Sequence, residues 1–304
     1  MTRRPARGAR STSPSWPPLR GKTTERQTTT ERHSEPRTLG GSLRPEQNPV
    51  RQVHRGLGPL RAQYPRRSGG AVNFCVAESA LGVLTGDVGA GKTVSVRAAV
   101  AGLDPTRHQI IYVANPAFGT RGLYVAIVKA LGAEPRYLRA ELMAQAADLL
   151  AAEEAERHRR VVIIVDEAHL LDRAQLEELR LLTNSEMDSS SPFAGILVGQ
   201  PTLSRQLRMG MFAALDQRIA TRFTIRPMDI GESSAYLRHH MALAGRQEPL
   251  FADDAIARLH RVSNGLPRAL NNAATAALMA GAAERKDLVD DACAKKAVAE
   301  LTKD

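Results

Sequence analysis

Gly86-Asp87-Val88-Gly89-Ala90-Gly91-Lys92-Thr93 constrains this chain more than any other stretch of its 304 residues. Leu81 to Thr85 ahead of it has strand character, and Lys92 to about Ala101 after it reads as a helix, so the segment predicts strand, tight loop, helix. Glycines let such a loop fold back until successive N–H groups and the helix N-terminus converge where negative charge is stabilised. In that context the pattern G-x-x-x-x-G-K-[ST] is a P-loop. Gly86, Asp87, Val88, Gly89, Ala90 and Gly91 then supply the cradle for ATP, Lys92 reaches the β and γ oxygens, and the Thr93 hydroxyl ligates Mg²⁺.

The rest of the chain fits an α/β architecture, because strand-like and helix-like segments alternate as in a parallel sheet covered by helices. Helix is predicted near Val72 to Ser79, over Arg121 to Leu131, from about Leu138 to Arg157 and over Ala174 to Thr183. Strands are predicted at Leu81 to Thr85, Gln109 to Ala114, Val161 to Val165, Ala194 to Val198 and Phe223 to Arg226, which makes five. Asn184 to Pro192 reads as a polar loop. From Asp229 onward only helices are expected, near Glu232 to Ala244, Asp253 to Ser263, Leu266 to Ala280 and Leu288 to Leu301. The expected division is a tail over 1–70, a nucleotide-binding domain over 71–228 and a small helical lid domain over 229–304.

A second site signal lies at the end of the β-branched run Val161 to Val165, whose composition suits a strand buried on both faces. It ends in Asp166-Glu167, which places a carboxylate at the C-terminal edge of a parallel strand, where open α/β sheets hold their ligands. The expected strand is a neighbour of the one that enters the phosphate loop. Asp166 would hold Mg²⁺, directly or through water, and Glu167 would orient and polarise the attacking water. Asp-Glu-Ala-His (166–169) has the letters of a helicase box, but no further helicase motif follows, and His169 is assigned a packing or supporting role. His239 and His240 are expected on the lid surface.

Charge excludes less than its total suggests. The net charge of +10 lies in residues 1–70, which hold 15 Lys and Arg against 4 Glu, a net of +11, so residues 71–304 carry a net of −1. Nine of the 17 prolines also fall in those 70 residues, and their sparse apolar content cannot offset the entropy of ordering them. The segment is expected to be a disordered, solvated tail or the product of a wrongly chosen start codon, with a basic arm on nucleic acid as the alternative. No apolar stretch approaches the ~18 residues of a membrane span, and the arginine-rich start lacks the apolar region of a signal peptide. A cytoplasmic location without membrane contact is therefore expected. Cys75 and Cys293 are too few and too far apart for a disulfide framework or a C-x-x-C metal site, and read as small buried residues.

Five ordered motifs carry a resemblance over about residues 75–300: Gly86 to Thr93, Asp166-Glu167, Gly199-Gln200-Pro201, Gln217 to Phe223, and Gly265-Leu266-Pro267-Arg268. Together they resemble the ExeA-like branch of the AAA+ ATPases, which is similar to origin-recognition ATPases, to the secretion protein ExeA and to transposition helpers such as the Mu-phage B protein and TniB. The resemblance implies a P-loop ATPase core with a helical lid. It also implies that Gln200 is the polar residue contacting the γ-phosphate or its water, and that Arg268 reports the nucleotide to the lid. Arg218 is the implied arginine finger, with Arg222 second; supplied by a neighbouring subunit, such a group is worth ~10³ to 10⁵ in rate. The aromatic and Pro-containing segment that usually seats adenine in this branch is replaced here by the basic tail.

The implied function is an Mg-ATP hydrolase that assembles on double-stranded DNA as a homo-oligomer, ring or filament, with shared ATP sites, acting as a transposition helper with a transposase. Alternatives are an ExeA-like secretion-assembly ATPase, which would need a membrane span and a wall-binding region beyond the lid, and a nucleotide-gated switch with little turnover. Because phosphate contacts need cations gathered on one face, Arg121, Lys129, Arg136 and Arg139 are the candidate DNA face.

Overall fold

The computed structural model describes residues 64–116, 119–183, 191–246 and 248–301. The expected tail therefore lies outside the described residues up to position 63, as does most of the loop expected at Asn184 to Pro192. Within the described part, α1 (Tyr64–Ala77) begins eight residues before the helix expected at Val72 and overlaps the end of that tail. Val72, Cys75 and Val76 on its inner face are buried against the sheet, and that burial holds a Gly-containing helix together.

The sheet has the order β2-β3-β4-β1-β5 and every pairing is parallel. Its strands are β1 (Leu81–Gly86), β2 (His108–Val113), β3 (Arg160–Val165), β4 (Phe193–Gly199) and β5 (Ile219–Ile225). In β3 the odd positions Val161, Ile163 and Val165 face one hydrophobic cluster and Val162 and Ile164 face another. This is the two-sided burial that a continuous β-branched run requires. The edge strand β5 starts four residues earlier than expected, because Thr221, Arg222 and Thr224 interrupt its apolar pattern; an edge strand tolerates polar residues that a central one does not.

Helices cover both faces. On one side α1 packs beside α2 (Lys92–Val100); on the other lie α3 (Gly119–Ala130), α4 (Arg139–Ala155) and α5 (Arg173–Leu182). Asp172 starts α5 with a reciprocal capping box, its carboxylate accepting from the Gln175 N–H at 2.7 Å and the Gln175 side chain accepting from the Asp172 N–H at 3.1 Å. Two helices have no counterpart in the sequence reading: α6 (Pro201–Leu207), with Leu203 and Leu207 fully buried, and the short α7 (Ala213–Asp216).

Past β5 come α8 (Ile230–Leu243), α9 (Asp253–Ser263), α10 (Pro267–Ala283) and α11 (Asp291–Leu301), gathered on a separate core rich in small residues. Ala273, Ala274 and Ala277 of α10 and Cys293, Ala294 and Ala297 of α11 are buried in that one cluster, small side chains that let helices approach closely. The segment is helical as expected, apart from one parallel bridge between Phe251 and Val289. His240 corrects an expectation. It is buried rather than exposed, with its ring edge-on to Tyr236 at 4.3 Å, and burial, with His239 adding, lowers its pKa to about 4. Cys75 and Cys293 are both free and buried. No helix among the described residues is long and apolar enough to cross a membrane.

Candidate functional site

Strand β1 runs into the loop at Gly86 and helix α2 leaves it at Lys92. Gly91 caps α2 in the left-handed region at φ 90° and no side chain caps the helix, so its first N–H groups are left to a ligand. The Lys92 ammonium folds back over its own loop and donates to the carbonyls of Gly86 and Asp87, both at 2.9 Å. Only 8% of Lys92 is exposed. Burial pulls its pKa down; Glu167, Asp166 and Asp87 pull the other way, and Arg268 adds to the lowering. The loop thus holds a buried cation on two neutral oxygens, contacts that an anion of higher charge would displace.

Asp166, at the end of β3, is the hub. Its Oδ2 accepts from the Thr93 hydroxyl at 2.8 Å and from the Tyr112 hydroxyl at 2.7 Å, and its Oδ1 accepts from the Glu167 N–H at 2.9 Å. The expectation that β3 neighbours β1 is corrected, since β4 stands between them. Thr93 still reaches Asp166 because the chain advances out of the loop into the first turn of α2 before presenting it. Tyr112 escaped the sequence reading. Lying near the end of β2, it has no local signal for pairing with a carboxylate 54 residues away. Burial and that hydrogen bond push its hydroxyl up to about 12.

Glu167 takes the left-handed conformation, φ 51°, and opens a single 3-10 turn, Ala168–Leu170. The turn directs His169 between two other site residues. His169 Nδ1 lies 3.4 Å from Glu167 Oε2, and His169 Nε2 lies 3.0 Å from Gln200 Nε2. Gln200 directly follows β4 and caps α6, so the strand between β1 and β3 delivers it to the same edge. Asp166, Glu167 and Gln200 are therefore brought together with the loop.

Arg268 joins them from the far end of the chain. Its N–H donates to the Gly89 carbonyl at 3.3 Å, and a Cβ on Gly89 would stand 2.9 Å from the Arg268 Cβ. The first turn of α10 thus rests on the phosphate loop, against a residue at φ 83° that glycine suits. A second contact fixes that helix: the Met228 N–H donates to the Gly265 carbonyl at 2.9 Å, and a Cβ on Gly265, at φ 70°, would lie 2.1 Å from the Met228 oxygen.

Arg218 and Arg222 are not brought to this edge. Ile219 pairs with Leu81 at the start of β1, so Arg218 stands at the opposite end of the sheet, about 17 Å along the strands from Gly86. It donates to the Thr183 carbonyl and hydroxyl, each at 3.2 Å, while Arg222 pairs with Asp216. The expected DNA face is also partly engaged within the chain. Arg121 donates to the carbonyls of Arg136 and Tyr137, and Arg139 pairs with the buried Glu178, which also accepts from the Tyr124 hydroxyl.

Residues 77–207 match the sequence family described as AAA domain. Over 208 residues the chain is 37% identical to General secretion pathway protein A of Aeromonas hydrophila, a match covering 65% of this chain and 36% of the relative, so the chain spans about a third of that protein's length. The fold is similar to the Aeropyrum pernix ORC2 protein in its ADPNP-ADP complexes, with a TM-score of 0.60 and 16% identity over 81% of this chain and 69% of that one. It is equally similar to Cdc6p from Pyrobaculum aerophilum, with a TM-score of 0.60 and 17% identity over 80% and 67% of the two chains. The fold is therefore that of the α/β P-loop AAA+ proteins.

Proposed function

We propose that the chain binds ATP with Mg²⁺ on the loop Gly86–Thr93, hydrolyses it, and uses the cycle to drive assembly of a larger protein machine in the manner of an ExeA-like secretion ATPase. The observation that carries the enzymatic part is the Asp166 carboxylate on the Thr93 hydroxyl, 2.8 Å away and beside a loop whose lysine is held ready on carbonyl oxygens. A hydroxyl and a carboxylate are a hard-oxygen donor set of the kind Mg²⁺ takes, with water and phosphate filling the rest. Thr93 and Asp166 would hold the ion. When bound, it neutralises charge on the phosphate oxygens and orients them.

The chain's own residues do the rest. Lys92 transfers its donors from the Gly86 and Asp87 carbonyls to phosphate oxygens, and the N-terminus of α2 adds its N–H groups. Glu167 orients the attacking water, Gln200 senses the terminal phosphate, and Arg268 ties nucleotide state to α10 through the loop it touches at Gly89. Arg218, a strand's length from its own loop, acts only on a neighbouring copy, which makes the working form a homo-oligomer with shared sites.

For the process served, the secretion-pathway relative supports the alternative reading ahead of the transposition helper. The near-neutral body and the in-chain partners of Arg121 and Arg139 lend no support to a DNA face. The test is steady-state ATP turnover and nucleotide affinity of the full chain and its Glu167→Gln variant. The variant should bind Mg-ATP as the parent does and lose turnover by roughly 10² to 10⁴. Turnover at the parent's rate would remove Glu167 from its role.

A further inference from the structure

Glu167 poses a problem for its own assignment. A residue that positions water must itself be held, yet its side chain is 46% exposed and extends from a left-handed backbone. Beside it lies His169, whose side chain is only 13% exposed. His169 Nδ1 is buried, has no hydrogen-bond partner, and lies 3.4 Å from Glu167 Oε2, slightly too far for a formed hydrogen bond and near enough to become one. The other ring nitrogen is already engaged, 3.0 Å from the Gln200 amide nitrogen.

The two ends of the ring decide where its proton sits. An amide nitrogen can only donate, so Nε2 accepts from Gln200 and the ring proton belongs on Nδ1, facing the carboxylate. In the neutral ring, turning the amide over would demand the proton on Nε2 and leave the Nδ1 lone pair against Glu167, so of the two tautomers one satisfies both neighbours and the other repels one of them. The backbone enforces the contact. A Cβ on Gly199 would stand 3.1 Å from the His169 backbone nitrogen, so β4 ends directly against the turn that carries the ring. Gln200 has a second amide N–H, which can meet a phosphate oxygen while the first stays on His169.

We infer that His169 is a positioning residue: held by Gln200 at one nitrogen, it orients the Glu167 carboxylate with the other, so that whatever engages Gln200 is transmitted to Glu167. This rests on the hydrolytic role proposed for Glu167. It assigns to a histidine two residues beyond the acid a task in kcat and none in nucleotide binding. The Asp-Glu-Ala-His run thereby acquires a physical reason for its final letter, since the 3-10 turn is what returns position 169 to the side chain of position 167.

Two measurements test it. In two-bond ¹⁵N–¹H spectra of the histidine-labelled, nucleotide-free chain, the His169 ring, identified as the signal lost in His169→Asn, carries its proton on Nδ1. Gln200→Ala shifts that proton toward Nε2. In turnover assays His169→Ala lowers kcat on the order of 10²-fold with KM and ATP affinity changed by less than about threefold, as expected for a misplaced rather than a missing group. His169→Asn, whose amide nitrogen falls where Nδ1 was, recovers much of the rate, and His169→Gln, whose amide nitrogen falls where Nε2 was, does not. An Nε2–H tautomer in the parent, an unchanged kcat in His169→Ala, or equal rates for the Asn and Gln variants would each overturn the inference. Absence of turnover in the parent would instead sink the hydrolytic reading, and the tautomer would still decide whether the ring is oriented as described.

Discussion

The two ends of the sheet carry similar side chains in different states. At the N-terminal ends of the strands, Arg160 donates to the carbonyls of Val76 and Ala77 at the last turn of α1, at 2.9 and 2.7 Å, and the buried Glu153 is paired with both Arg157 and Arg159. At the C-terminal ends, Lys92 rests on carbonyls of the loop it serves, one oxygen of Asp166 is shared by two hydroxyls, and His169 keeps an unpaired buried nitrogen. The first set is closed by opposite charges and a helix end, contacts that persist as long as the fold does. The second is made of bonds that an entering anion and its metal would exchange. One edge is therefore closed within the fold and the other keeps contacts open to exchange, and the difference lies in partners rather than in residue type.

Arg218 offers the strongest way to break that comparison, because it stands at the closed edge and is assigned to a neighbour's site. Arg218→Ala should lower turnover by about 10³ or more, and mixing with Lys92→Ala protein should restore activity through hybrid sites. Without restoration, Arg218 joins the structural arginines of its edge. Lys92→Ala, at the open edge, should weaken Mg-ATP binding by at least about 10²-fold, the loss expected when a charge-assisted phosphate contact goes. Its urea midpoint should stay where it was; a large fall would mean that Lys92 braces the loop rather than waiting on it. Arg160→Leu should do the reverse, costing about 1 to 2 kcal/mol of unfolding free energy through the lost helix-end contacts. Nucleotide affinity measured on the same protein should be unchanged.

Much of the site was legible in advance where one stretch of chain contains the whole device. Gly86 to Thr93 encodes its loop by glycine spacing, and Asp166-Glu167 is marked by the β-branched run before it. Gln200 and Arg268 were reached through resemblance, and the structure sets both at the phosphate-loop edge. Elements lacking such local contrast were missed, as α6 was, or anticipated only in part, as β5 and α1 were. Helix α6 has a short apolar stripe and a proline at its first turn, β5 is an edge strand broken by polar residues, and the start of α1 lies in a segment whose composition reads as tail.

By itself the sequence determined that a glycine-rich P-loop joins a strand to a helix, that a carboxylate pair ends a second buried strand, and that the segment after Asp229 is helical, since each depends on residues close enough in sequence to constrain one another's backbone. Only the tertiary structure decided that β4 stands between those strands, that Tyr112 shares Asp166 with Thr93, that the first turn of α10 rests on Gly89, and that His169 spans Gln200 and Glu167. Those contacts follow from strand order and crossover packing, which bring together residues whose separation along the chain carries no record of their distance in space.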